Sequence, residues 1–118
     1  MINPRYSLVI PAYNEEAVIE ETYFRLTRVM QALNESYELI FVNDGSRDQT
    51  EALLGALESS DPNVRLLSFS RNFGHQTAVT AGLDHARGQA IIIIDADLQD
   101  PPELIPQMIE KWKEGYAV

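Results

Sequence analysis

The chain has 118 residues, nine of them basic and eighteen acidic, and a formal net charge of −9. That balance argues against nucleic acid as a partner, because no basic stripe is available to displace phosphate counterions. There is no cysteine, which excludes a disulfide framework and a thiolate zinc site, and no apolar run reaches the roughly 20 residues that span a bilayer.

The first predicted unit is a strand followed by the longest helix. Residues 6–10 predict a strand, and Pro11 is expected to end it because it cannot donate to a central ladder. Asn14 is expected to cap the helix, with Glu15 in its first turn. Apolar residues then recur at helical spacing from Val18 to Leu33.

The second unit repeats the pattern. Residues 37–42 predict a strand, and the turn residues 43–46 follow it. Asp48 and Glu51 form a capping-box pattern for a helix that Asp61 and Pro62 end. The helix is expected to turn four residues inward: Ala52, Leu53, Ala56 and Leu57.

The third and fourth units complete the chain. Residues 64–69 predict a strand, and residues 75–87 a helix with small residues on one face and Gly88 as its stop. The isoleucines at 91–94 predict a strand covered on both faces, as a central strand is. Asp100 and Glu103 suit the start of a last helix, which is expected to turn Met108, Ile109 and Trp112 inward. Pro106 predicts an irregular first turn of that helix. Residues 116–118 resemble the opening of a fifth strand.

This alternation predicts an α/β fold, with a Rossmann-like open parallel sheet and helices on both faces. We expect residues 1–118 to form one domain, truncated at its C-terminal side. Right-handed crossovers bring every strand-to-helix loop to one edge of the sheet, where open α/β sheets bind ligands. The loops that hold Glu15, Asp44, Arg71 and Asp95 should therefore converge.

The most acidic of these loops predicts a metal site. It follows the isoleucine run and carries Asp95, Asp97, Gln99 and Asp100 within six residues. Carboxylates packed this closely repel one another unless a cation lies among them, and Mg²⁺ or Mn²⁺ prefers oxygen ligands. Asp97 and Gln99 are the expected ligands, with Asp95 at the edge; the alternative is a solvated loop whose Asp100 caps the next helix.

The other loop residues each have two interpretations. Asp44 and Glu15 are candidates to bind a base or ribose, but Asp44 also suits an Asx turn and Glu15 a helix dipole. Arg71 suits a phosphate or a nearby carboxylate. Tyr13 suits a nucleobase or local packing, and His75 is more typical of a helix start than of a base or ligand. Neither glycine-rich phosphate-binding motif is present.

Four segments together resemble the family 2 glycosyltransferases of GT-A fold, most closely those that act on polyprenyl phosphates. In order, they are VIPAYNEE (9–16), VNDGS (42–46), SRNFGH (70–75) and IDADLQDPPE (94–103). The resemblance implies inverting transfer of a hexose from a UDP- or GDP-sugar to a polyprenyl phosphate, at the cytoplasmic face of a membrane in the cell envelope. It implies Mg²⁺ or Mn²⁺ held by Asp97, Gln99 and Asp95. The nucleotide-sugar residues that it implies are Pro11, Ala12, Tyr13, Glu15, Val42, Asp44, Arg71, Asp95, Ala96 and Asp97.

No catalytic base is implied, since a phosphate acceptor is already anionic at neutral pH. Members of the family continue past residue 118 with acceptor-side segments, so the chain alone is expected to be inactive and not to span a membrane. One alternative is a transferase with a polysaccharide or soluble acceptor. Another is a non-catalytic Mg²⁺-binding signalling domain of flavodoxin-like topology, which does not explain the loop PAYNE (11–15).

Overall fold

The computed structural model describes residues 3–115, so the predicted fifth strand at 116–118 lies outside the described part. Four parallel strands form one sheet in the order β3-β2-β1-β4. They are β1 Tyr6–Ala12, β2 Tyr37–Asn43, β3 Val64–Ser68 and β4 Ala90–Ile93. The helices are α1 Ile19–Ala32, α2 Thr50–Ser60, α3 His75–His85 and α4 Ile105–Lys113. The predicted α/β fold is confirmed.

Helices cover both faces of the sheet. On one face, alternate residues of β1 such as Leu8 and Ile10 pack in the main core with α1, α2 and α4. On the other face, Val9 lies in a smaller core with Ala78 of α3. The strands are therefore apolar on both sides, as expected for a parallel sheet between two helical layers.

The expectation that Pro11 ends the first strand is wrong, because β1 continues to Ala12. Successive residues direct their main-chain groups to alternate neighbours. The Val9 carbonyl accepts the Ile94 N–H on the β4 side (3.0 Å), and the Ala12 carbonyl accepts the Asp44 N–H on the β2 side (2.9 Å). Pro11 shares the side of Val9, and pairing with β4 stops at Val9. Its missing N–H therefore costs no ladder bond.

The isoleucine strand lies at the edge of the described sheet, and one of its faces is only partly covered. Because the predicted fifth strand lies outside the described part, the central position of this strand stays a prediction. Within residues 3–115, β4 pairs with β1 alone. Ile92 and Ile94 are buried in the main core, but Ile93 is 44% exposed on the other face. The two inner strands of the described sheet, β1 and β2, are buried along their whole length.

Asn14 does not cap the first helix. It lies in the loop before α1 with a φ of 53°, a conformation that asparagine tolerates better than most residues. Its side-chain oxygen accepts the Arg47 N–H (2.8 Å) of the next loop. The predicted apolar stripe of α1 is confirmed by its buried residues, Ile19, Thr22, Leu26 and Met30.

The second helix turns a different face inward than predicted. Leu54 is fully buried and the two predicted leucines are half-buried, whereas Ala52 and Ala56 are exposed. The capping box is half correct. Asp48 accepts the Thr50 N–H (2.9 Å), but Glu51 accepts hydrogen bonds from two side chains at the ends of β2 and β3.

Small residues do let α3 approach the sheet. A Cβ on Gly82 would lie 2.3 Å from Cγ1 of Val9. Gly88 is not the helix stop, because α3 ends at His85. A Cβ on Gly88 would lie 2.6 Å from Ser7 Oγ, so this glycine allows the chain to cross closely over β1.

The segment after β4 begins irregularly, as Pro106 predicts. A 3-10 turn at Pro102–Leu104 precedes α4, and no side chain caps it, so the expected cap by Asp100 is absent. Gly115, with a φ of 100°, follows the helix as expected. Met108 is 39% exposed instead of packing inward, whereas Ile109 is buried.

Candidate functional site

A cavity of about 390 Å³ opens at the carboxyl ends of the strands. All four strand-to-helix loops contribute to its wall, as their predicted convergence requires. The lining residues are Pro11, Ala12, Tyr13, Glu15, Asp44, Asn72, Gly74, His75, Asp95, Ala96 and Asp97. Every residue implied for the nucleotide sugar lines this cavity except Val42 and Arg71.

Val42 and Arg71 lie elsewhere for different reasons. Val42 is fully buried in the smaller core with Val9 and Ala78, so it does not reach the cavity. The Arg71 guanidinium lies 4.3 Å from the ring centroid of Phe73, as a cation–π pair. In this structure the described partner of Arg71 is thus an aromatic ring, and the two interpretations of Arg71, a phosphate or a carboxylate partner, stay predictions.

The four strand-to-helix loops are numbered in chain order, so the second follows β2 and the third follows β3. Asp44 of the second loop binds the third loop through hydrogen bonds. Its carboxylate accepts the N–H groups of Phe73 (2.8 Å) and Gly74 (3.1 Å) and the side-chain amide of Asn72 (3.2 Å). The carboxylate is nearly buried, with 4% of the residue exposed. The side-chain bond within this turn comes instead from Asn43, whose side-chain oxygen accepts the Ser46 N–H three residues later (3.1 Å).

Gly45 brings the same two loops into contact. Its φ is 69°, and a Cβ at this position would lie 2.1 Å from the carbonyl carbon of Arg71. No other amino acid fits without moving one of the two backbones. Together with the Asp44 bonds, this contact fixes one wall of the cavity before any ligand binds.

The first loop is tied to the start of α2. The Glu15 N–H donates to Thr50 Oγ1 (2.9 Å), and the Glu16 N–H donates to Asp48 Oδ2 (3.2 Å). These bonds leave the Glu15 side chain at the cavity. The main chain near Glu15 is thus held by the neighbouring loop, while its carboxyl group remains available to a ligand.

The electrostatics of the cavity favour a cation. Burial raises the pKa of Glu15, and the negative charges of Asp97, Asp48 and Asp95 raise it further. A carboxyl group whose neighbours disfavour its ionisation marks a region of negative potential. A diphosphate would be repelled from such a region unless a cation accompanied it.

The donor set fits a hard divalent ion that takes few ligands from the protein. Among residues 3–115, no three His, Cys, Asp or Glu side chains form a ready-made metal cluster. Asp97 lies at the cavity, and its Oδ1 accepts the Gln99 N–H (3.1 Å); the Gln99 side chain does not line the cavity. Mg²⁺ typically uses one or two carboxylates and completes its shell with water and substrate phosphates, which matches this arrangement.

Sequence reasoning missed three lining residues, Asn72 and Gly74 in the loop after β3 and His75 at the start of α3. His75 begins α3, as expected, but its Nε2 also lies 2.9 Å from Asp95 Oδ1 across the cavity. The signal was present, because all three residues fall within the segment SRNFGH (70–75). The convergence of the loops was predicted, but the individual contact between His75 and Asp95 could not be read from the sequence.

Comparison with known proteins identifies the family. The model of the Glycosyl transferase family 2 domain matches residues 7–118. The chain belongs to the family 2 glycosyltransferases. This confirms the resemblance drawn from the four motifs, and it agrees with a cavity formed by those same motifs.

Relatives of this glycosyltransferase chain include proteins named for lipid-linked transfer. It is 62% identical over 114 residues to the uncharacterized glycosyltransferase YkcC of Bacillus subtilis (strain 168), covering 97% of this chain and 35% of the relative. It is 52% identical over 112 residues to the bactoprenol glucosyl transferase of Shigella phage SfV, covering 94% and 36%. The chain thus spans about a third of the length of these relatives.

Solved structures share the fold. The mannosyltransferase PcManGT from Pyrobaculum calidifontis, in complex with GDP-Man and Mn²⁺, has a TM-score of 0.77 at 25% identity, covering 95% of this chain and 33% of its own. Glucosyl-3-phosphoglycerate synthase from Mycobacterium tuberculosis, in complex with UDP, has a TM-score of 0.71 at 28% identity, covering 95% and 41%. Within residues 3–115, no helix has the length and apolarity needed to cross a membrane.

Proposed function

We propose that this chain is the donor-binding part of an enzyme that transfers a hexose, with inversion, from a UDP- or GDP-sugar to a polyprenyl phosphate. The observation that carries the donor assignment is the cavity, which gathers the loops of all four family motifs at one edge of the sheet. The acceptor assignment is supported by the 52% identity to a bactoprenol glucosyl transferase.

In this proposal the cavity has a nucleoside side and a diphosphate side. Tyr13, 42% exposed at the cavity, offers a ring on which a base can stack. Asp44 and Glu15 accept hydrogen bonds from the base or the ribose. Because Asp44 is already held by three donors of the third loop, it is preorganised and loses little freedom when a ligand binds.

The diphosphate side combines the acidic loop with the start of α3. Asp95 and Asp97 lie at the cavity, and the first N–H groups of α3 follow Gly74 and favour negative charge. Asp97 and Gln99 were the expected ligands; because the Gln99 side chain does not line the cavity, we propose that Asp97 holds Mg²⁺ or Mn²⁺, with Asp95 and Gln99 at its edge. The bound ion would neutralise charge on the departing nucleoside diphosphate. The residues of the chain itself orient the donor and keep its phosphates next to Asp97.

We assign residues 1–118 to one domain whose acceptor side is completed by other parts of the protein, since the chain spans only 35% and 36% of its relatives. In the whole protein, transfer takes place at the cytoplasmic face of the membrane. The family assignment favours a transferase over the signalling-domain alternative. A soluble acceptor is the second candidate, supported by the likeness to glucosyl-3-phosphoglycerate synthase.

A transfer assay separates these acceptors. The full-length protein is incubated with Mn²⁺, radiolabelled UDP-glucose or GDP-mannose, and either undecaprenyl phosphate in detergent or a soluble phosphorylated acceptor such as 3-phosphoglycerate. We expect label in the organic phase only with undecaprenyl phosphate, released by mild acid. Label in the aqueous product with the soluble acceptor would contradict the lipid assignment while retaining the transferase.

A further inference from the structure

The acidic loop has little regular structure of its own to hold it in place. Residues 94–101 lie between β4 and the 3-10 turn and belong to neither helix nor strand. Leu98 has a φ of 65°, a conformation that disfavours residues with a Cβ. Such strain persists only where surrounding contacts fix the backbone. The loop must therefore be held from outside.

Thr22 of α1 provides one such contact. Its hydroxyl donates to the Ala96 carbonyl at 2.7 Å, and the same oxygen lies 3.0 Å from the Val18 carbonyl of its own helix. The residue is 1% exposed and interrupts the otherwise apolar inner stripe of α1. Burying a hydroxyl costs free energy unless it is hydrogen-bonded, so the bond to Ala96 offsets the cost of placing the Thr22 hydroxyl in the core.

This bond fixes the peptide at the middle of the acidic motif. The peptide between Ala96 and Asp97 is planar and trans, so holding the Ala96 carbonyl towards α1 directs the Asp97 N–H to the opposite side. The Ala96 side chain is itself buried in the main core. With the carbonyl and the side chain of Ala96 both anchored, Asp95 and Asp97, which flank Ala96 and line the cavity, have restricted positions.

The same helix also holds the far end of the loop. Arg25, three residues after Thr22 on α1, pairs with both carboxylate oxygens of Glu103 in the 3-10 turn, with Nε 3.2 Å from Oε2. Two points on one helix thus bracket residues 96–103. A rigid helix that contacts the loop on both sides of Leu98 suits the support of a strained backbone.

We propose that Thr22 is a positioning residue of the donor site: its hydroxyl holds the acidic loop so that Asp95 and Asp97 meet a metal-bound diphosphate. This inference rests on the proposed function, because it assigns Thr22 to the same site. Thr22 does not line the cavity, so it acts through the Ala96 peptide.

The test compares Thr22→Val, which keeps the shape and removes the hydroxyl, with Thr22→Ser, which keeps the hydroxyl. Thr80→Val is the control for the bond within the helix, because the exposed Thr80 of α3 donates to a carbonyl four residues earlier (2.9 Å), as Thr22 does to Val18. Calorimetry measures binding of UDP and GDP to the full-length proteins with and without Mn²⁺, well below their melting temperatures.

We expect T22V to weaken the Mn²⁺-dependent binding about tenfold, the size of one lost buried hydrogen bond. T22S and T80V should stay within about twofold of the wild type. Equal binding by T22V, or equal weakening by T22S, would overturn the inference and leave the proposed function intact. If the wild type binds neither nucleotide with Mn²⁺, the proposed function fails and this inference with it. Should T22V not fold, T22A replaces it, and equal binding by T22A and T22S would overturn the inference.

Discussion

Replacing Asp44 with alanine should release the third loop from the cavity wall. The carboxylate holds two main-chain N–H groups, those of Phe73 and Gly74, and the Asn72 side chain. Alanine supplies no acceptor for these donors. The loop should then open locally while the core of the sheet stays folded, because Asp44 contributes no apolar packing to either core.

The expected size follows from the bonds that are lost. A hydrogen bond to a charged group contributes roughly 1.5–3 kcal/mol, and about 1.4 kcal/mol corresponds to a factor of ten in an equilibrium. The amides of Phe73 and Gly74 should therefore exchange with solvent about 10- to 100-fold faster in D44A. Nucleotide binding should weaken in the same variant, since the loop and the carboxylate both line the cavity.

Hydrogen exchange followed by NMR measures this directly. Asp61→Ala is the matched control, because Asp61 accepts the Asn63 N–H (2.9 Å) away from the cavity. D61A should speed exchange at Asn63 and leave Phe73 and Gly74 unchanged. Unchanged exchange at those two amides in folded D44A would refute the view that Asp44 holds the loop.

Three further predictions concern the metal, the charge of the cavity and the packing beneath it. Asp97→Asn should weaken Mn²⁺ binding about tenfold in equilibrium dialysis, because an amide lacks the charge that the cation needs, and Asp100→Asn, outside the cavity, should not. The raised pKa of Glu15 means that the folded state binds this proton more tightly than the unfolded state, so stability falls as pH rises from the ordinary pKa through the raised one. Glu15→Gln should therefore raise the urea midpoint at neutral pH, and should leave it unchanged at pH values below the ordinary pKa of a glutamate. Gly82→Ala should cost about 1–3 kcal/mol in urea unfolding, because a Cβ has no room there.

Each of these has an outcome that contradicts it. Equal Mn²⁺ affinities of D97N and D100N would remove Asp97 from the ligands. An E15Q midpoint that is unchanged at neutral pH would mean that the neighbouring charges do not destabilise the folded state. For packing, Gly55→Ala is the control, since nothing lies within 4 Å of its Cβ position, and it should be neutral or stabilise α2 by about 0.5–1 kcal/mol. A G82A variant that behaves like G55A would show that α3 can move away from the sheet.

The sequence predicted the sheet because its signals are local. Alternating strands and helices determine the layers, and right-handed crossovers determine which loops meet, so Glu15 and Asp97 could be placed at one edge in advance. Pro11 was misjudged because the cost of its missing N–H depends on which neighbour that side of β1 faces, and β4 pairs only as far as Val9. The extent of this pairing depends on the tertiary structure and cannot be read from the local sequence.

The same limit applies within the site. Asp44 was expected to bind a ligand or form a local turn, but its partners come from residues about thirty positions later. His75 suits a helix start, and its sequence position says nothing of Asp95. Thr22 looks like a minor polar residue on an apolar stripe, whereas its role depends on a carbonyl 74 residues away. Residue type and periodicity predict which loops form a site, and contacts between loops decide what each residue does.

Calorimetric titration of the full-length protein with UDP, GDP and inorganic pyrophosphate, each with Mn²⁺ and with a chelator, tests the donor site most directly. We expect UDP or GDP to bind more tightly than pyrophosphate in the presence of Mn²⁺, and chelation to weaken that binding sharply, because the acidic cavity repels an unaccompanied diphosphate. A folded protein that binds Mn²⁺ but shows no preference for UDP or GDP over pyrophosphate would contradict the nucleoside assignments of Glu15 and Asp44.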